Sequence, residues 1–196
     1  MQNQKGFTLV EMIVAVALFS VVMLISVGAL LALVGANRKA QALQSVMNNL
    51  NIALDGMVRA VRMGSMYHCG GGPVKTPQNC EGDTLLAFKP FCQGSCEPAN
   101  RFVYVFDTDN SYCGQGRLCK SVDSGTNYYA MTSPEIIINS MRFYVIGADS
   151  RDLIQPKVVI EVKGTAGAKT IKTTTTFSIQ ATAVQRDLDL FDPSAL

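Results

Sequence analysis

A glutamate set inside a greasy run is the first residue in this sequence that could do chemistry. Glu11 stands four residues after Phe7, where an apolar stretch begins. From Met12 to Asn37 there follow 26 consecutive residues without a formal charge. A carboxylate in such surroundings costs on the order of a few kcal/mol unless it finds a partner. Two readings are open. Glu11 sits at a membrane interface, near the amide-rich start of a helix where negative charge is favoured, or it is kept to meet a cation.

The cysteines form the second group. Cys69, Cys80, Cys92, Cys96, Cys113 and Cys119 all lie within a window rich in Gly, Pro, Asn and Ser. An even number in a loop-rich, exported segment reads as disulfides in an oxidising compartment. Zinc is the rival, because Cys92-x3-Cys96 and Cys113-x5-Cys119 are short pairs. CxxC-type knuckles are missing, however, and a zinc site would leave two thiols unexplained. The simplest pairing is local in sequence: Cys69 with Cys80, Cys92 with Cys96, Cys113 with Cys119.

The remaining candidates are weaker. Asp107 and Asp109 have the acidic spacing that opens some calcium loops, but the glycine and closing glutamate of an EF-hand are absent, and a plain turn is the simpler reading. His68-Cys69 could form a thiol–imidazole pair, although neighbours on a loop are seldom oriented for it and a disulfide-bound Cys69 fits better. Thr173–Thr176 reads as a strand face, and Tyr128-Tyr129 as either an exposed contact or ordinary strand aromatics. His68 is the sole histidine, so histidine-based catalysis and His-rich metal sites have little to draw on. A net charge of +2 leaves no basic footprint for nucleic acid. No cofactor or nucleic-acid partner is expected.

The elements that must position these residues change character along the chain. As a helix, the uncharged run spans roughly 39 Å, more than the hydrocarbon thickness of a bilayer. One membrane-spanning helix is expected. The apolar periodicity continues past it: Leu43, Met47, Leu50, Leu54, Met57 and Val61 recur at spacings of four and three, with Val46 and Val58 alongside. Arg38, Lys39, Gln41, Gln44, Asn48, Asn49, Asp55 and Arg59 fall on the opposite face. That stripe is expected to pack on the protein's own sheet.

Beyond Gly64 the period shortens to two. Residues 64–83 read as a Gly/Pro loop, and Thr84–Phe91, Arg101–Phe106, Glu135–Ile146 and Lys157–Lys163 as strands. A Gly-rich turn at 164–169 then leads into an alternating strand, Thr170–Val184. The acidic tail Arg186–Leu196 is expected to fray. The fold class is α+β: a long N-terminal helix, membrane-spanning in its first half, packed on an antiparallel sheet.

Two processing schemes compete at the head of the chain. A secretory signal peptide would end after Val34-Gly35-Ala36, but its apolar region should run about 7–15 residues, and this one is far longer. The run Lys5-Gly6-Phe7-Thr8-Leu9-Val10-Glu11 instead resembles the class III leader of type IV pilins and type II secretion pseudopilins. The resemblance is firm over about residues 1–63 and extends to the rest only in general layout. It implies a prepilin peptidase cut between Gly6 and Phe7, N-methylation of Phe7, and Glu11 as the assembly residue that neutralises the terminal amine of a neighbouring subunit. The domain organisation it implies is a leader at 1–6, a transmembrane and assembly helix at 7–36, an amphipathic extension at 37–63 and a disulfide-containing β-rich domain at 64–196.

The pilin-like fold is implied by the same resemblance, as is a place in the cytoplasmic membrane with the C-terminal domain outside, then in a pilus or pseudopilus. The implied partners are other pilin-like subunits, the prepilin peptidase, an inner-membrane assembly platform, and lipid before assembly. Gly28 stands where many major type IV pilins carry a helix-breaking proline, which favours a pseudopilin or minor pilin, and the long helix followed by a β-rich domain of this size is most similar to minor pseudopilins of the J type. A minor or major type IV pilin for adhesion, motility or DNA uptake is the alternative. A membrane-anchored enzyme is a third reading, and residues 64–196 offer it no nucleophile–base set.

Overall fold

A computed structural model describes residues 6–91, 100–133, 136–149, 151–166 and 175–186. Its first element, α1, runs from Leu9 to Met63. Thr8 opens it as the N-cap: its Oγ1 accepts the Glu11 amide N–H at 3.3 Å. Leu, Ala and Met favour the helix, and two hydroxyls in the apolar run are satisfied by their own backbone. Ser20 Oγ donates to the Val16 carbonyl at 2.8 Å and Ser26 Oγ to the Val22 carbonyl at 2.7 Å. The helix stays regular through Gly28.

The end of α1 is set by close approach. Gly64 is buried, its N–H donates to the Val61 carbonyl at 2.9 Å, and a Cβ there would run into the Phe88 ring. The Tyr67 hydroxyl donates to the same Val61 carbonyl at 2.7 Å.

The chain divides into two units, Met1–Gln41 and Ala42–Leu196. In the first, every described side chain is exposed, the large apolar ones from Phe7 at 78% to Val34 at 40%. Its most apolar 18-residue window has a mean hydropathy of 2.8, long and apolar enough to cross a membrane.

Among the described residues, the second unit holds the rest of α1 and nine strands in two antiparallel sheets. These are β1 (Ser65–Cys69), β2 (Cys80–Asp83), β3 (Leu85–Lys89), β4 (Phe102–Asp107), β5 (Arg117–Ser121), β6 (Tyr129–Ala130), β7 (Ile137–Ile146), β8 (Lys157–Ala166) and β9 (Thr175–Val184). One sheet has the order β1-β3-β4-β5-β6 and the other β2-β7-β8-β9. A Cys69–Cys80 disulfide joins β1, at the edge of the first sheet, to β2, at the edge of the second.

The stripe on α1 enters the core common to these elements. Val46, Leu50, Leu54, Met57 and Val61 are buried with Tyr67, Leu86, Phe88, Tyr104, Phe143, Val158, Ile160 and Val162. Gln44, Asn48, Asn49, Asp55 and Arg59 are exposed, as the periodicity requires. Along β9 the alternation also holds, with Ala183 buried and Phe177, Ile179 and Ala181 half-buried against exposed Thr176, Ser178, Gln180 and Thr182.

Three expectations change. The expected single sheet is two. The stretch 64–83 is not all loop but carries β1 and β2, because His68 and Cys69 pair with Ala87 and Leu86 and because Cys80 and Glu81 pair with Val145 and Tyr144. The turn expected from Gly164 does not start there: Gly164 is paired on both sides, with Ile138 and with Phe177, so β8 runs on to Ala166, and residues 167–169 lie outside the described residues. Residues 134–135, the first five residues expected for the last strand (170–174) and most of the tail (187–196) lie outside the described residues.

Candidate functional site

The site is the start of α1. Gly6 and Phe7 precede the helix in irregular backbone, Phe7 is 78% exposed, and nothing lies within 4 Å of where a Gly6 side chain would begin. A peptide bond in open, irregular chain ahead of a capped helix is accessible to a protease. Thr8 as N-cap makes Glu11 the third residue of the helix, in the first turn, where the unpaired backbone amides favour negative charge. Thr8 was not among the residues expected to matter. The signal for it is the Thr8-x-x-Glu11 spacing of a capping box, overshadowed by the stronger leader pattern.

The cysteine-rich region contains two described disulfides, Cys69–Cys80 and Cys113–Cys119. Cys92 and Cys96 lie outside the described residues. Asp107, Cys113 and Cys119 come close enough to suggest a metal site, but both sulfurs are in a disulfide and so carry no thiolate.

Asp107 itself is buried and enclosed by amides. Its Oδ1 accepts from the Ser111 N–H at 3.0 Å, and its Oδ2 from Tyr112, Cys113 and Gly114 at 2.9, 2.8 and 2.9 Å. Burial pushes this carboxyl up, but the amides of Cys113, Gly114, Tyr112 and Ser111 outweigh it and hold it below the usual carboxylate range. A carboxylate ringed by four N–H donors is a loop clamp, and the donors leave its oxygens poorly placed for calcium. Asp109 is exposed and accepts from the Ser111 N–H at 3.3 Å. Asp123 builds a similar turn, held below the usual range by the Asn127 amide, the Ser121 hydroxyl and the Asn127 side chain.

His68 is fully buried, its ring nitrogens 2.8 Å from the Thr76 carbonyl and 3.1 Å from the Gly70 carbonyl. It fastens the loop closed by Cys69–Cys80 and has no thiol beside it, since Cys69 is in that disulfide. Tyr128 packs edge-on against Tyr112, with ring centroids 4.8 Å apart, and Tyr129 is an exposed strand residue. Thr175 and Thr176 are in β9; Thr173 and Thr174 lie outside the described residues.

A family described as the prokaryotic N-terminal methylation motif matches residues 1–27. Searches of curated proteins and of solved structures returned no match. The matched span contains Gly6, Phe7, Thr8 and Glu11 together with the first part of the apolar helix. It covers the head of the chain and leaves the β-rich unit untouched. A methylation-type leader on a membrane-length helix, followed by an antiparallel β unit, supports a type IV pilin-like protein anchored in a membrane.

Proposed function

We propose that this protein is a pilin-like structural subunit of a type II secretion pseudopilus, a minor pseudopilin most like the J type. Prepilin peptidase cuts between Gly6 and Phe7, and Phe7 is then N-methylated. The subunit waits in the cytoplasmic membrane through α1, its β-rich unit outside, until an assembly platform moves it into the filament. The reading rests chiefly on one observation: an exposed Gly6–Phe7 bond directly ahead of a helix that carries Glu11 in its first turn.

The chemistry comes from that order. Cutting before Phe7 creates a terminal amine at the bilayer edge, about one helical turn from Glu11. A carboxylate in lipid, or in a packed bundle of such helices, is penalised until it meets a cation. The amine of a neighbouring subunit supplies one, so the pair fixes register between subunits more than it adds stability. Gly28, in place of a helix-breaking proline, favours the minor pseudopilin over a major pilus subunit.

Glu11→Ala and Glu11→Val test the role. Both variants are expected to be cleaved and membrane-inserted like wild type, yet to co-purify with filaments at least about tenfold less, a loss on the scale of one buried ion pair broken. Incorporation at the wild-type level would remove Glu11 from assembly.

A further inference from the structure

A sheet ends in strands whose outer N–H and C=O groups are unpaired, and such an edge is a template on which another chain can add a strand. Among the described residues there are four edges, β1 and β6 in one sheet and β2 and β9 in the other. Three of them are blunted. β6 is two residues long. β1 has five residues and breaks register between Ser65 and His68, where Met66 sits at a φ of 54°. β2 has four residues, breaks register between Glu81 and Asp83, and carries both of those acids. Short length, bulges and charge are the devices that close an edge to strangers.

β9 has none of them. It runs for ten residues, Thr175–Val184, without a proline, a glycine or a charge. All ten pair with β8 in unbroken register, and no described strand pairs with its other side. Its exit is fastened: the Gln185 N–H donates to the Pro156 carbonyl at 3.0 Å and the Arg186 N–H to the Arg62 carbonyl at 2.8 Å. The edge is long, regular and held in place.

The side chains suit a neighbour on that edge. Phe177, Ile179 and Ala181 pack on the core yet stay only half-buried, and Thr176, Ser178, Gln180 and Thr182 are exposed on the other face. A strand laid alongside would cover the first set and present polar partners to the second. β9 is itself such a strand, since a two-fold axis brings the N–H groups of an antiparallel edge to the C=O groups of its copy. With Gln180 opposite itself, Ile179 faces the partner's Ala181 and Phe177 the partner's Ala183, large against small. Ser178 then faces the partner's Thr182, a pair able to hydrogen-bond.

We propose that β9 is an interface between two copies of this chain, paired antiparallel edge to edge so that their four-stranded sheets become one continuous sheet. The pairing uses up both edges and stops at two copies. The proposal is independent of the pilin reading.

Hydrogen exchange on the full chain in detergent micelles, at a fixed protein-to-detergent ratio, tests it. In wild type, the β9 amides are expected to exchange at least about fivefold more slowly at high than at low protein concentration, as mass action requires. Gln180→Lys/Thr182→Lys and Gln180→Glu/Thr182→Glu place like charges across the two-fold axis. Each alone should weaken the association about tenfold, the scale of a few unfavourable cross-strand pairs. An equal mixture of the two variants should recover the protection, because opposite charges then meet. Unchanged exchange of β7 verifies that the sheet itself is intact. Wild-type exchange that is independent of concentration overturns the proposal. So does concentration-dependent protection that both charged variants keep, since the copies would then meet through another surface.

Discussion

One helix serves two different surroundings, and the contrast between its halves explains the molecule. From Leu9 to Gln41 every side chain is exposed, and the apolar ones have no partner within their own unit. From Leu43 to Val61 most apolar residues fall on one stripe that enters the core shared with two sheets, while polar residues and the 73% exposed Ile52 hold the other side. Both halves are rich in apolar residues, but only the second sets charged and amide side chains on one face. An all-round apolar helix needs lipid or other helices as its solvent, whereas a striped one needs only its own domain. Single residues then carry different weight in each half.

The largest expected effect separates them directly. Leu50 is fully buried, so Leu50→Ala should lower the unfolding free energy of the β-rich unit by about 2–5 kcal/mol. Leu24 is 76% exposed, and Leu24→Ala should leave that unfolding unchanged. Denaturant unfolding in detergent, followed by tyrosine signals of the β-rich unit, measures both. Equal losses would mean that the two halves are not independently solvated.

A smaller effect sharpens the second half of the comparison, because that unit satisfies its polar groups internally. Asp107→Asn removes the charged group that accepts from four amide N–H donors and should cost about 2 kcal/mol. The sign with pH is set by the lowered carboxyl. Its stabilisation is fully present above the unfolded value of about 4, and it is lost as pH falls below that toward the depressed folded value. The gap between wild type and variant should therefore be constant near neutral pH and close in acid. A gap that widens in acid would contradict the clamp.

The smallest effect lies at the other end of the helix. Thr8→Ala removes the N-cap acceptor and should destabilise the first turn by about 1 kcal/mol, seen as faster exchange of the Glu11 amide with the β-rich unit unaffected.

How much of this could be read from the sequence tracks the same divide. Both halves of the helix were legible because periodicity, or the lack of charge, is a local signal that nothing later in the chain can overrule. The strands β7, β8 and β9 were legible for the same reason, as long alternating runs. β1, β2 and β5 were not. They are four or five residues long and carry His, Cys, Gly and Lys, and their strand character comes from partners far off in sequence. The division into two sheets was hidden for that reason too. At the site, Glu11 stood out as an acid in an apolar run, and Gly6 and Phe7 through the resemblance to a class III leader, whereas the meeting of Arg59 and Arg62 with Arg186 depends on where β9 ends. The amide ring around Asp107 is equally hidden, since an Asp-x-Asp spacing gives no hint of which way the backbone turns.

The central claim is that this chain begins its working life at Phe7, with a freed amine one turn from an acid. Intact-mass and N-terminal peptide analysis of the protein recovered from a host with prepilin peptidase tests it most directly. The account predicts a chain lacking its first six residues and carrying one methyl group on the amine of Phe7. A chain that still begins at Met1, or one that begins at Asn37 after loss of the apolar helix, would contradict it.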